Sequence, residues 1–223
     1  AELSASIAHE VNQPLAAIVA NSHACQRWLT SDPPNIDRAH RTVERIIRDA
    51  NGAADVVSRI RALFRQSIDK RDLTAIDSVI AEVCDLLAKE AARRGVRMSV
   101  VFDKDISPVP LDRIQIIQVL SNLIRNGIEA MDGIAGEKTI KVAARCVEQV
   151  VRIEVSDNGH GIQDRDRIFQ PFFTTKPSGM GMGLAISRSV VESHGGKLWA
   201  ENNESGGARV VFTLPMDMKA LLT

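Results

Sequence analysis

The sequence predicts a helical hairpin followed by an α/β two-layer sandwich with a mixed sheet, on three observations. Two long stretches carry apolar residues at helical spacing on either side of the break Ser31-Asp32-Pro33-Pro34-Asn35. Farther along, residues 140–147 and 150–155 alternate apolar and polar around Glu148-Gln149, the pattern of a sheet hairpin with one buried face. Helical patterns flank that hairpin, so helices laid on one side of the sheet supply the second layer. The expected boundaries are residues 1–66 for the hairpin, 67–74 for a polar linker, 75–218 for the sandwich and 219–223 for a C-terminal tail.

In the first stretch, Ile7, Val11, Pro14, Ile18, Cys25 and Trp28 recur at spacings of three, four or seven and form a coiled-coil-like seam. The second seam runs through Val43, Ile47, Ala50, Ala54, Val57, Ile60 and Phe64. One hairpin cannot bury stripes of this length by itself, so two copies are expected to pair into a dimeric four-helix bundle. His9 lies two residues from both Ile7 and Val11, which turns it away from the seam. Pro14, one turn beyond Glu10, cannot donate to the carbonyl of Glu10 and is expected to kink the helix beside His9. His23, His40 and His194 read as surface histidines.

After the linker, residues 75–94 are helical, with Ile76, Val79, Ile80, Val83 and Leu87 on one face. Gly95 ends that helix, residues 96–102 read as a strand, and residues 107–110 turn the chain. Asp112 is placed as the N-cap of an amphipathic run over residues 112–131. Near the C-terminus, Gly195-Gly196 caps a helix, residues 197–201 form a strand, Gly206-Gly207 turns, and residues 208–214 return as the last strand.

Composition excludes several classes of function. Lys+Arg and Asp+Glu balance at 28 each, so no net field draws the chain to nucleic acid or to an acidic membrane surface. Aromatic residues are only 4% and Tyr is absent, which leaves little to stack on bases. Cys25, Cys84 and Cys146 lie far apart with no Cys-x-x-Cys, so a reduced compartment is expected rather than a zinc site or a disulfide framework. No apolar run reaches the length of a bilayer span. The chain opens inside a helical pattern only eight residues before His9, as the catalytic portion of a longer protein would.

The organising stretch is residues 157–184. Asp157-Asn158-Gly159-His160-Gly161-Ile162 ends a strand, and Gly179-Met180-Gly181-Met182-Gly183-Leu184 opens a helix. Three alternating glycines before a helix N-terminus let backbone amides approach an anion, so this is a phosphate cradle. Between the two motifs, residues 163–178 carry charges, Phe169, Phe172, Phe173 and Thr174-Thr175-Lys176, and read as a lid over a site in which Phe172 and Phe173 pack the cover down. The order of parts fits neither a P-loop nor a dinucleotide-binding turn. Upstream, Asn122 and Asn126 stand four apart on one helix face, where two amides can hold Mg²⁺ and phosphate oxygens.

These blocks, in this order, resemble the N, G1, F and G2 boxes of the sensor histidine kinases, whose ATP-binding domain, the Bergerat-type fold, is shared with gyrase-type ATPases. The stretch Ser6-Ile7-Ala8-His9-Glu10-Val11-Asn12-Gln13-Pro14-Leu15 is similar to the family's H box, so the resemblance covers nearly the whole chain. Its flavour is that of the subgroup containing oxygen-sensing and nitrogen-regulating kinases. One departure is Gly127, where the family usually has alanine.

The resemblance implies residue roles. His9 accepts the γ-phosphoryl group of ATP, with Glu10 taking a ring proton; Gln13, one turn on, orients water for dephosphorylating the partner regulator. Asp157 accepts the adenine amino group, Asn126 holds Mg²⁺, and Asn122 contacts phosphate or metal-bound water. Lys176 reaches phosphate oxygens, while Gly159, Gly161, Gly179, Gly181 and Gly183, with Leu184, give hinges and backbone approach. The implied cofactors are ATP and Mg²⁺. The implied partners are a second copy and the receiver domain of a response regulator, with no nucleic acid and no membrane contact in this portion; the implied location is cytoplasmic, the parent protein being anchored through a preceding part. Two alternatives compete. A gyrase-type ATPase has a glutamate one turn before its magnesium asparagine, and Asn122 in that place cannot act as a base. A non-catalytic nucleotide-binding dimerisation module would not need His9, Glu10, Asn126, Asp157 and the glycines all intact.

Overall fold

The computed structural model describes the backbone of residues 2–64, 71–103, 106–176 and 181–216, and the side chains among them except those of residues 2–11, 51 and 54–64. The chain divides into two compact units, residues 1–65 and 66–223.

The first unit is a hairpin of α1 (Glu2–Thr30) and α2 (Ile36–Phe64). The break between them falls where Pro33 and Pro34 deny the helix its N–H donors. Asn35 then starts α2: its side chain accepts from the Arg38 amide at 3.1 Å, and its own amide donates to the Trp28 carbonyl at 2.8 Å. The helices are tied by Asn21 Nδ2 donating to Asp49 Oδ2 at 3.2 Å and by the Arg38 guanidinium 4.5 Å from the centre of the Trp28 ring. Ala39 and Thr42 are buried in the seam, but Leu15, Val19, Leu29, Ile36, Val43 and Ile47 are exposed in the single chain. Helix α1 continues through Pro14.

The second unit runs β1 (Asp72–Thr74), α3 (Ile76–Arg93), β2 (Val96–Phe102), β3 (Val109–Leu111), α4 (Arg113–Ala130), β4 (Lys138–Val147), β5 (Val150–Asp157), α5 (Gly183–Ser193), β6 (Leu198–Asn202) and β7 (Ala208–Pro215). Five strands form one sheet in the order β2-β4-β5-β7-β6, with β2 and β4 parallel and the other pairs antiparallel. The sheet is therefore mixed, as the pattern required. Alternate residues of β5, Val151, Ile153 and Val155, are buried, as are Ile80, Leu120, Ile124 and Val191 on the apolar faces of α3, α4 and α5. On the other face, Arg152, Glu154, Glu201 and Arg209 link in ion pairs beside Trp199.

Three expectations need correction. The end of the expected linker and the second half of the expected turn before Asp112 lie in strands: β1 and β3 pair antiparallel, Asp72 opposite Leu111. The β3 side chains are all buried, so Val109-Pro110-Leu111 belongs to the core despite its proline. Pro110 survives because a three-residue strand in a two-stranded sheet has a free side for a residue without an N–H. His194, read as a surface residue, is only 2% exposed. It sits at the C-cap of α5, where its Nε2 accepts from the Asp112 amide at 3.0 Å and its Nδ1 donates to the Val190 carbonyl at 2.8 Å. The linker residues 67–70 and the tail 219–223 lie outside the described residues.

Candidate functional site

The site is assembled from the exposed edge of α4, the end of β5, the lid and the start of α5. Helix α4 is capped as expected: the Asp112 side chain accepts from the amides of Ile114 (3.0 Å) and Gln115 (3.2 Å). Its buried stripe, Ile116, Val119, Leu120, Leu123 and Ile124, fixes its rotation. That leaves Asn122, Asn126 and Glu129 half-buried along the neighbouring face.

Asp157 ends β5 and is 8% exposed. Its Oδ1 accepts from the Gly159 amide at 2.8 Å and from the Ala208 amide at 3.2 Å. Among the described residues no donor reaches Oδ2. Burial pushes the carboxyl above the usual carboxylate range, and the two amide donors only partly oppose that. One carboxylate oxygen thus pins the turn and the other is left as an acceptor.

The turn after Asp157 is fixed on every side. Asn158 accepts from the Thr139 amide at 2.9 Å and donates to the Glu137 carbonyl at 2.7 Å. Gly159 must be glycine, because a Cβ there would lie 2.6 Å from the Ala130 carbonyl oxygen at the end of α4. The Asn202 side chain both accepts from and donates to the backbone of Ile162, holding Gly161 beside it. Asn203 Nδ2 donates to the Asp157 carbonyl at 2.9 Å and to Ser156 Oγ at 3.0 Å.

Asn122 and Asn126 have different surroundings. Asn122 Nδ2 donates to Ser187 Oγ at 3.0 Å, tying α4 to α5 beside Gly183. Asn126 Oδ1 accepts from Lys176 Nζ at 3.0 Å, and the same ammonium forms a salt bridge with the Glu129 carboxylate. Both members of that pair keep about a third of their side-chain surface, so the pair contributes no more than ~1 kcal/mol.

In the lid, the Arg188 guanidinium of α5 lies 5.0 Å from the Phe169 ring centre, and that of Arg167 lies 4.5 Å from Phe173. Phe173 is half-buried. Phe172, expected to pack the lid down, is instead exposed and has φ +68°. Its backbone is held there by Gly181, itself at φ +65°, where an added Cβ would meet the Phe172 carbonyl carbon at 2.5 Å. Leu184 is half-buried in the first turn of α5.

The second unit therefore brings together Asn122, Asn126, Asp157, Gly159, Gly161, Lys176, Gly181, Gly183 and Leu184. Gly179 and the side chains of His9 and Glu10 lie outside the described residues, although the backbone of both is within α1; Gln13 is exposed on that helix. Sequence reasoning missed Ser187, Asn202 and Asn203, which act across the fold and carry no local signal. It also missed Glu129, although a place three residues after Asn126 on the same face could have revealed it.

The residues fit the groups they are expected to hold. A cation already rests on Asn126 and Glu129 in the form of the Lys176 ammonium, and their hard oxygens suit Mg²⁺. Asp157 offers a carboxylate oxygen beside the space left by Gly127, which suits the amine edge of an adenine.

Residues 1–67 match the model of the His Kinase A (phospho-acceptor) domain, and residues 111–218 match that of the histidine kinase-, DNA gyrase B- and HSP90-like ATPases. The nucleotide-free catalytic domain of histidine kinase ThkA is 33% identical, with a TM-score of 0.62, covering 68% of this chain and 99% of that one. The chain belongs to the sensor histidine kinases. Sensor protein FixL of Bradyrhizobium diazoefficiens is 38% identical over 217 residues, which are 96% of this chain and 43% of FixL. A complex of ThkA with response regulator protein TrrA aligns with a TM-score of 0.69 at 27% identity, over 97% of this chain and 62% of that one. The chain spans less than half the length of curated relatives such as FixL, TmoS and DctS. Among the described residues no helix is long and apolar enough to cross a membrane.

Proposed function

We propose that this chain is the dimeric catalytic core of a kinase that uses ATP and Mg²⁺ to phosphorylate His9 and then passes the group to an aspartate of a response regulator. Asp157 carries the proposal: a buried carboxylate with one oxygen committed to backbone amides and the other left to accept, set beside Asn126 in a chain that also holds the motif around His9. The TrrA complex of ThkA supports a receiver domain as the acceptor. The exposed Leu15, Val19, Leu29, Val43 and Ile47 of the hairpin support pairing with a second copy. We assign residues 1–66 to dimerisation and phosphoacceptance, 75–218 to ATP binding, and a cytoplasmic location to both.

Asp157 Oδ2 accepts from the adenine amine, and the amides around Gly159, Gly161, Gly179, Gly181 and Gly183 let the chain approach the nucleotide closely. Asn126 supplies a protein oxygen for Mg²⁺, with Asn122 beside it. A Mg²⁺ ion held by these residues would supply positive charge against the phosphates. Lys176 adds its charge from the lid. A ring nitrogen of His9 attacks the γ-phosphorus, the bond to the β-bridging oxygen breaks and ADP leaves, while Glu10 takes the proton from the other ring nitrogen. Gln13, one turn along α1, orients water in the reverse reaction at the phosphorylated regulator.

Incubation with γ-labelled ATP should give label that is stable to base and labile to acid. His9→Gln should abolish it and leave nucleotide affinity unchanged, since Asp157 and Asn126 lie in the other unit. Label that persists in that variant overturns the assignment of His9.

A further inference from the structure

We propose that Glu129 is a positioning residue of the cation site: it holds the Lys176 ammonium where a divalent cation binds, and shares that cation with Asn126 once the nucleotide arrives. This rests on the assignment of Asn126 to Mg²⁺ made above.

Lys176 Nζ lies 3.0 Å from Asn126 Oδ1 and is paired with Glu129 Oε2. The two oxygens come from successive turns of α4, three residues apart, whereas the lysine comes from the lid. A carboxamide oxygen and a carboxylate oxygen thus converge on one positive charge from a rigid helix, and the charge itself is delivered by a different segment. Hard oxygens of this kind, few in number and with room for water, are what Mg²⁺ accepts from protein. The side chains of Lys176 and Glu129 are 37% and 29% exposed, so solvent screens the pair and exchanging one cation for another costs little. Lys176, once released from Glu129, carries a positive charge on the lid beside the nucleotide, where phosphate oxygens replace the carboxylate as its partners.

Glu129 therefore acts twice. In the free protein it neutralises Lys176 and keeps the lid lysine next to Asn126. In the loaded protein its charge offsets that of the cation, directly or through a metal-bound water. Removing the carboxylate leaves Asn126 facing an unneutralised ammonium, which opposes entry of a second cation.

The test is calorimetric titration with ADP, once with Mg²⁺ and once in EDTA, for the wild type and for Glu129→Gln, Glu129→Asp and Asn126→Ala; the ratio of the two affinities is the readout. Glu129→Gln is expected to lower that ratio about tenfold, as loss of a supporting carboxylate does at metal sites. Its affinity in EDTA should not fall, because Lys176 stays free to meet the phosphates, and Glu129→Asp should restore part of the ratio. If Asn126→Ala removes the Mg²⁺ dependence while both Glu129 variants retain it, the proposal fails and the assignment of Asn126 stands. If Asn126→Ala also retains it, both fail. Equal losses with and without Mg²⁺ in Glu129→Gln would show a merely structural role and overturn the proposal, and Glu129→Asp decides the matter should the glutamine variant not fold.

Discussion

Gly127 of α4 faces the carboxylate of Asp157: a Cβ built on Gly127 would lie 3.6 Å from Asp157 Oδ2 and 3.2 Å from Ile140 Cδ1. The position that departs from the family's usual alanine is thus a wall of the candidate adenine pocket. The carboxylate oxygen on that side is the one no described donor holds, and the other is held by the amides of Gly159 and Ala208. Two changes across this gap separate binding from stability.

Asp157→Asn should lose ATP binding and keep or gain stability at neutral pH. The folded protein holds this carboxyl above its ordinary pKa of 3.8 through burial. Between 3.8 and the raised value the folded state binds more protons, so stability is fully present below 3.8 and falls as pH rises through the folded pKa. Above the folded pKa the ionised, buried group is a cost that asparagine removes. Its amide oxygen can still accept from Gly159 and Ala208, but its NH₂ then confronts the adenine amine, donor against donor. Calorimetry should show no ATP binding and a thermal midpoint no lower than that of the wild type; unchanged affinity would refute the role of Oδ2.

Gly127→Ala should stabilise the nucleotide-free protein by up to ~1 kcal/mol, the helix-propensity difference between the two residues. The one tight neighbour is the far end of Ile140, which can move by a few tenths of an ångström, and the 3.6 Å approach to Asp157 is ordinary contact. Denaturant unfolding measures the gain. A net loss would mean that Ile140, fully buried, has nowhere to go.

Much of this was legible in the sequence because it is local. Asp112 declares itself as a cap by the helix that follows it, and β4 and β5 declare their buried face by alternation. Asp157, Asn126 and the glycines are recognisable because each requirement, a carboxylate at a strand end or a Cβ-free approach, falls on one residue. What stayed hidden depends on partners far along the chain. Asn203 matters only because the β6–β7 turn returns to the Asp157 carbonyl. Residues 107–110 look like a turn until β1 is seen to pair with 109–111. His194 looks like a solvated histidine until the start of α4 is brought against it.

Gly181→Ala should weaken ATP binding with little change in global stability. Its φ of +65° costs a residue with a side chain ~1–2 kcal/mol, and the new Cβ would meet the backbone of Phe172 and Phe173 at 2.5 Å. Backbone cannot rotate away as a side chain does, so the lid must shift, and with it Lys176. The lid lies outside the helix–sheet core, so the thermal midpoint should hold while nucleotide affinity falls. A variant with wild-type affinity would show that the lid closes without this contact.

His194 should make folding sensitive to mild acid. Its Nε2 accepts from the Asp112 amide, so only the neutral ring with its proton on Nδ1 satisfies both this bond and the one to Val190. Burial pushes the pKa below its ordinary 6.5; the nearby Arg71 guanidinium adds to that, while the Val190 carbonyl and Asp112 oppose it. The unfolded chain therefore binds more protons than the folded one between the lowered pKa and 6.5. Stability is fully present above 6.5 and is lost as pH falls toward and through the folded value. Protonation would set an N–H of the ring against the Asp112 N–H at the start of α4, and the strain would fall on the same residue that caps that helix and on β3 before it. His194→Gln can still accept from Asp112 but cannot titrate. Unfolding measured from pH 7.5 to 5 should show the wild type losing more stability than the glutamine variant; parallel pH profiles would show that the buried imidazole does not control the response.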